Sequence, residues 1–195
     1  KIPFLAWDDK EQIRNLIELK FKDIHLIHPQ ALDCSKISEV FVSPGISLNK
    51  NVLKIFNINK VVLYRDLELY SRLISKQKII AVTGTNGKST TVKLIGDIIN
   101  KNGLDCFVGG NLGLPLIDFI NNNMLSNFHV IELSSFQLEA APSFQSHISI
   151  LLNISEDHLD RYSSIKQYAY TKEKIIQKKD NSFSIISLDD PFCKE

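Results

Sequence analysis

The residues most capable of chemistry lie in one short run, Gly84-Thr85-Asn86-Gly87-Lys88-Ser89-Thr90, directly after the apolar stretch Ile79-Ile80-Ala81-Val82-Thr83. Glycines at 84 and 87 let backbone N–H groups turn inward around phosphate oxygens, and a helix beginning near Lys88 adds the partial positive charge of its N-terminus. The lysine ammonium can reach terminal phosphates, and the Ser89 hydroxyl is placed to bind Mg2+. The chemistry expected is the binding of a magnesium nucleoside triphosphate. The plainer alternative is a glycine turn capped by Ser or Thr. The strand before the run, and Val92, Ile95, Ile98 and Ile99 on one face of a helix that ends near Gly103, favour the phosphate loop. The general pattern has a glycine five residues before Gly87, where this sequence has Val82, so the loop is a shortened variant.

Three more polar segments follow apolar runs: Gly109-Gly110-Asn111, Glu132-Leu133-Ser134-Ser135-Phe136-Gln137, and Asn153-Ile154-Ser155-Glu156-Asp157-His158. In an open parallel sheet, ligands collect outside the carboxyl ends of the strands. Glu132 and His158 are therefore expected on the same edge as Lys88 and Ser89, giving one carboxylate and one imidazole beside the nucleotide. A hard cation suits the carboxylate. Taken singly, Glu132 could simply begin a helix and His158 could be a capping or packed histidine. His25, His28, His129 and His147 have no such company and are read as structural.

The elements needed to position these residues follow an α/β pattern, short apolar runs alternating with helix-like segments, as when parallel strands are linked by crossover helices. Residues 4–7, 24–27, 40–43 and 61–64 read as strands, and residues 10–20 as a helix with Ile13, Leu16 and Ile17 at helical spacing. These suggest a small Rossmann-like domain over 1–76 that lacks its first strand. Residues 79–83, 106–108, 130–133, 148–153 and 183–187 supply the strands of a second domain, 77–195, with a mainly parallel sheet. Asn121-Asn122-Asn123 reads as a turn. Because the chain opens on Lys and stops soon after an apparent strand, both ends look cut, and it is read as a fragment.

With 195 residues and 44% hydrophobic content the chain can bury a core. Its 23 basic and 22 acidic residues give no field to hold a nucleic-acid backbone or an anionic membrane, so any anion must be bound locally. Cys34, Cys106 and Cys193 lack metal-ligand spacing and cannot all pair, which fits a reduced, cytoplasmic protein. No apolar run is long enough for membrane insertion.

From about residue 79 the chain resembles the Mur ligases and the related folylpolyglutamate synthetases, on Gly-Thr-Asn-Gly-Lys-Ser. Within the Mur ligases it is most similar to those that add D-glutamate. That likeness rests on Gly-Gly-Asn-Leu-Gly from 109, Glu-Leu-Ser-Ser-Phe-Gln-Leu-Glu from 132, and Asp-His-Leu-Asp-Arg-Tyr from 157. The resemblance is strong from about 79 to 172 and weaker before. It implies an ATP-dependent ligase joining D-glutamate to UDP-N-acetylmuramoyl-L-alanine through an acyl phosphate, in peptidoglycan synthesis, acting as a monomer. It implies Gly84–Thr90 and above all Lys88 on ATP, Ser89 and Glu132 on one Mg2+, and His158 on a second. Asn111, Ser134, Gln137, His158 and Tyr168 would lie near the muramoyl-alanine. Asp8, Ser43 and Gly45 would hold the uridine and pyrophosphate end, although Asp8 reads equally as a surface acid. It also implies a carbamylated lysine at Lys172, helping to hold the second Mg2+. The residues alone suggest otherwise: Lys172 has Lys174, Lys178 and Lys179 as neighbours and reads as part of a solvated helix face. The amino-acid-binding domain would lie beyond residue 195, so this stretch alone is expected not to ligate.

The rival readings are a Mur ligase for another amino acid and a nucleotide-binding protein without chemistry. A nicotinamide oxidoreductase is disfavoured, because there is no Gly-x-Gly-x-x-Gly and the lysine loop calls for a nucleoside triphosphate.

Overall fold

A computed structural model of the chain describes residues 3–74, 76–121, 126–176 and 181–194. The expected turn at Asn122 and Asn123, and the helix face carrying Lys178 and Lys179, lie outside the described residues. The chain divides into two compact units: Lys1–Val40 with Leu48–Leu63, and Phe41–Ser47 with Tyr64–Glu195. By compactness, then, residues 41–47 and the stretch from Tyr64 group with the later part of the chain.

The first unit carries β1 (Leu5–Ala6), α1 (Glu11–Lys20), β2 (His25–Leu26) and most of β3 (Glu39–Phe41), followed by α2 (Lys54–Ile58) and most of β4 (Val62–Tyr64). β1 and β2 pair in parallel, joined by the α1 crossover, and β3 pairs with β4. Glu11 in the first turn of α1 and Lys20 in the last complement the helix dipole. Although α1 has apolar residues at helical spacing, it buries none of them.

The second unit continues with α3 (Asp66–Leu73), β5 (Lys78–Thr83), α4 (Lys88–Lys101), β6 (Cys106–Gly110), α5 (Leu116–Asn121), β7 (Phe128–Glu132), α6 (Ser135–Leu138), β8 (Ile148–Leu151), α7 (Ile165–Glu173), β9 (Phe183–Ile186) and α8 (Pro191–Lys194). Its five strands form one parallel sheet in the order β6-β7-β5-β8-β9. The alternation of side chains along β5 makes two cores. Ile79 and Ala81 join Leu67, Phe107, Ile131, Leu133 and Phe144 on one face. On the other, Ile80 and Val82 join Val92 of α4 with Val130 and Ile150. With both faces covered, the central strands tolerate continuous apolar runs. Ile95 and Ile99 of α4 pack on this second core, whereas Ile98 is 53% exposed. Six residues after Val92, it is rotated well off the buried stripe at 100° per residue.

The topology places the chemistry. β5 lies between β7 and β8, so the chain leaving β5 is flanked by the chains leaving its two neighbours at the same sheet edge. Such a switch in strand order opens a crevice at the carboxyl ends. Among the described residues no helix is long and apolar enough to cross a membrane.

Candidate functional site

β5 delivers Thr83, fully buried, into the loop at Gly84. Gly84 has φ +151°, and a Cβ there would meet Leu152 Cβ at 3.0 Å; Gly87, the N-cap of α4, has φ +83°. Both conformations are strained for side-chain-bearing residues, which fixes the glycine spacing. The loop is pinned to the chain leaving β8. Thr85 N–H donates to Asn153 O at 2.9 Å, and Asn86 N–H to Asn153 Oδ1 at 2.8 Å. Asn153 Nδ2 returns a bond to Asn86 O at 3.1 Å, and Thr85 Oγ1 accepts from Ser155 N–H at 3.0 Å. Lys88 Nζ donates to Thr85 O at 2.8 Å. Val82, where the general pattern has glycine, is a fully buried strand residue, so the turn begins two positions later. Thr90 is exposed on α4.

Glu132 ends β7 and is 2% exposed. Ser89 Oγ donates to its Oε2 at 2.7 Å, and Asn111 Nδ2 donates to its Oε1 at 3.2 Å. Among the described residues no cation pairs with this carboxylate, although a buried carboxylate is costly unless its charge is compensated. That donor set fits a magnesium ion held by one carboxylate and one hydroxyl and completed by phosphate and water, since Mg2+ rarely has an all-protein cage. No cluster of three or more His, Cys, Asp or Glu able to hold a metal occurs among the described residues.

A cavity of about 180 Å3 is lined by Lys88, Asn111, Ser134, Ser135, Phe136, Asp157, His158, Tyr168 and Lys172. His158 takes up the left-handed region at φ +53°, uncommon for a residue with a side chain. Its ring lies 4.7 Å from that of Phe136 and 6.2 Å from that of Tyr168, and its Nε2 is 3.5 Å from Asp157 Oδ2. Ser134 and Gln137 form a reciprocal capping box at the start of α6. Gln137 Nε2 donates to Asp66 Oδ2 at 3.2 Å, so that side chain is already engaged. Burial raises the Asp66 carboxyl above the ordinary range.

Lys172 is not part of a solvated face. It is 2% exposed, one turn after Tyr168 on α7, and its Nζ lies 4.8 Å from the Tyr168 ring centre. It donates to Gly84 O at 2.8 Å and Thr83 Oγ1 at 3.3 Å. Burial, and next the Lys88 charge, lower its pKa from 10.5 to about 7. Lys174, two positions on, is exposed and donates to Glu139 O at 3.0 Å.

The remaining expected residues lie elsewhere. Asp8 accepts from Lys10 N–H at 2.8 Å, a local turn before α1. Ser43 and Gly45 sit in a turn after β3, where Ile46 N–H donates to Ser43 O at 3.0 Å. Three of the histidines read as structural behave so: His129 is fully buried and bonds Tyr70 at 2.5 Å, His147 Nδ1 accepts from Ile79 N–H at 3.2 Å, and His28 caps a turn. Burial lowers the pKa of His129 to about 4. Sequence reasoning singled out neither Asp157 nor Phe136, both of which line the cavity. The signal for each was adjacency, to His158 and to Gln137.

Residues 82–195 match the Mur ligase middle domain. The whole chain is 37% identical over 196 residues to the UDP-N-acetylmuramoylalanine–D-glutamate ligase of Rickettsia bellii, covering 43% of that protein. It is 41% identical over 174 residues to the ligase of that name from Wolbachia pipientis, with 88% of this chain and 33% of that protein covered. The chain thus spans less than half the length of these relatives. Among solved structures, a MurF ligase from Thermotoga maritima in complex with ADP superposes with a TM-score of 0.52 at 16% identity, covering 83% of this chain and 46% of that one. With the family's middle domain matched over more than half its length, and with relatives of one name aligned along it, this chain belongs to the Mur ligase family.

Proposed function

We propose that the protein containing this chain joins D-glutamate to UDP-N-acetylmuramoyl-L-alanine at the expense of ATP, by way of an acyl phosphate. The observation that carries this reading is the cavity that brings Lys88, Asn111, Ser134, His158, Tyr168 and Lys172 together, with Ser89 bonded to the buried Glu132 carboxylate. The names of the relatives supply the amino acid and the nucleotide substrate. In this reading residues 1–76 hold the uridine end of the substrate, and 77–195 form the ATP-binding part.

The chemical obstacle is charge. A carboxylate approaching a phosphate oxygen to about 4 Å meets roughly 4 kcal/mol of repulsion per charge pair at an effective dielectric of 20. The backbone N–H groups of Gly87, Lys88 and Ser89, at the N-terminus of α4, bind the ATP phosphates. On substrate binding the Lys88 ammonium leaves the Thr85 carbonyl for a phosphate oxygen, exchanging a neutral acceptor for a charged one. Ser89 and Glu132 would hold Mg2+, which when bound would neutralise phosphate oxygens and polarise the transferring group. His158, and Lys172 once converted to its carbamate, would supply ligands to a second Mg2+. Burial lowers the Lys172 pKa to about 7 and so provides the neutral amine that reaction with CO2 requires. The Asn111 amide orients the substrate carboxylate, and Tyr168 and Phe136 wall off water beside it.

The deciding experiment is phosphate release by the full-length protein. Release should require both UDP-N-acetylmuramoyl-L-alanine and D-glutamate. Release triggered by L-alanine, L-lysine or diaminopimelate in place of D-glutamate would overturn the assignment, as would ATP hydrolysis indifferent to either substrate.

A further inference from the structure

The turn Ser43-Pro44-Gly45-Ile46 has chain of the first unit on both sides of it in sequence, yet it groups with the second. Two guanidinium groups account for this. Arg65, wholly buried, donates from Nη1 to Ser43 O at 2.8 Å and to Ile46 O at 2.9 Å. Arg161 donates from Nη1 to Pro44 O at 3.0 Å and from Nη2 to Ile46 O at 3.4 Å. Glu139, which follows α6, joins the two cations. It accepts from Arg161 Nη2 at 2.7 Å and Nε at 3.1 Å, from Arg65 Nη2, and from Tyr162 Oη at 3.1 Å.

This arrangement orients the turn. In a planar trans peptide C=O and N–H point in opposite directions. With the Pro44 carbonyl held by Arg161, the Gly45 N–H points away from the clamp. Gly45 is exposed, and the space that a Cβ on it would fill is also open, with nothing within 4 Å. Arg161 also reaches the cavity. Its Cζ lies 3.8 Å from the centre of the Phe136 ring, which packs on His158, and its backbone N–H donates to His158 O at 2.9 Å. One side chain therefore touches the turn, Glu139 and the aromatic support of His158.

We infer that Arg161 and Arg65, joined by Glu139, are positioning residues that hold the 43–46 turn as a seat for the anionic end of the nucleotide substrate, at a fixed setting relative to His158. The inference rests on the function proposed above. A clamp that served stability alone would leave the KM values untouched. A seat predicts a loss confined to one substrate. Arg161→Lys keeps the charge and the aliphatic stem, but an ammonium cannot bridge the turn and both Glu139 oxygens at once.

The test compares full-length wild type with Arg161→Lys, Arg161→Met and Gly45→Ala in steady-state ligation, measuring KM for UDP-N-acetylmuramoyl-L-alanine and for ATP separately. Circular dichroism monitors the fold. Both Arg161 variants should raise the KM for the uridine substrate at least tenfold and leave that for ATP within twofold. Gly45→Ala adds a methyl group into open space, so it keeps the protein folded, and it should raise the same KM. Should the Arg161 variants fail to fold, Glu139→Gln, which leaves both guanidinium groups but removes the charge joining them, decides by the same comparison of KM values. The inference is overturned if the folded variants keep wild-type KM for the uridine substrate, or if both KM values rise together. Wild type that does not bind the uridine substrate in a direct titration would instead overturn the functional reading, and this assignment with it.

Discussion

Lys172 makes a quantitative demand on the protein's stability. Its pKa is about 7 when folded against an ordinary 10.5. Below pH 7 the folded state must carry a buried ammonium; above it, the folded state sheds a proton that the unfolded chain keeps. Stability therefore rises with pH between about 7 and 10.5, because the unfolded state binds more protons there. At about 1.4 kcal/mol per tenfold, the whole gap is worth about 5 kcal/mol, and the part between pH 6 and 8.5 about 2 kcal/mol. The side chain is 2% exposed, so little of this is screened. Lys172→Met keeps the length of the stem and removes the titration. Urea unfolding, followed by circular dichroism in CO2-free buffer, should show wild type gaining about 2 kcal/mol relative to Lys172→Met from pH 6 to pH 8.5. Parallel curves for the two proteins would refute the reasoning, and a wild type that loses ground as pH rises would reverse its sign.

Other outcomes follow from the same geometry. Lys88→Ala and Glu132→Ala in the full-length enzyme should each abolish ligation with little change in melting temperature; near-normal turnover in either would remove the assigned role. Depleting CO2 at constant pH should slow ligation over hours, and Lys172→Ala should recover activity when supplied with a small carboxylic acid, whereas indifference to both would leave the lysine a packing residue only. Ser164 caps α7 by accepting from Gln167 N–H at 3.2 Å, so Ser164→Ala should lower stability by about 1 kcal/mol in denaturant titration. Gly84→Ala should be costlier, since it forces a Cβ to 3.0 Å from Leu152 at φ +151°, and unchanged stability in that variant would contradict the loop geometry.

The strands were legible because their signal is local. Buried parallel strands need apolar runs, and Lys78–Thr83 and Ile148–Leu151 are such runs bounded by polar residues. The phosphate loop was legible for a related reason, since the backbone itself demands glycine at 84 and 87. With those strands and that loop in hand, the rule that ligands gather at carboxyl ends pointed to Glu132 and His158 without any contact being known. The helix faces were less well defined, as Ile98 shows, because a six-residue offset looks apolar in the sequence while pointing away from the core.

What the sequence did not disclose is which charges are buried. Lys172 and Arg65 look ordinary in their local context, and α7 has only a weak apolar stripe to say which side faces inward. The partners that make burial tolerable lie far along the chain: Gly84 for Lys172, Glu139 for Arg65. No window of neighbouring residues contains such a pair, so periodicity cannot find it. The spacing of Tyr168 and Lys172 did hold a partial clue, since residues four apart share a helix face and an aromatic ring next to a lysine permits a cation–π contact. Both buried basic side chains nevertheless have a common physical setting. Each donates to backbone carbonyls of a loop after a strand, the Gly84 carbonyl in one case and those of Ser43 and Ile46 in the other. A loop whose N–H groups are to face an anion must direct carbonyls elsewhere, and in the low dielectric behind it a fixed cation is an effective partner for them. At Arg65 that partner is a permanent cation, whereas at Lys172 it is an amine whose pKa of about 7 lets it give up its proton, so only the first is a fixed counterpart to the carbonyls it holds.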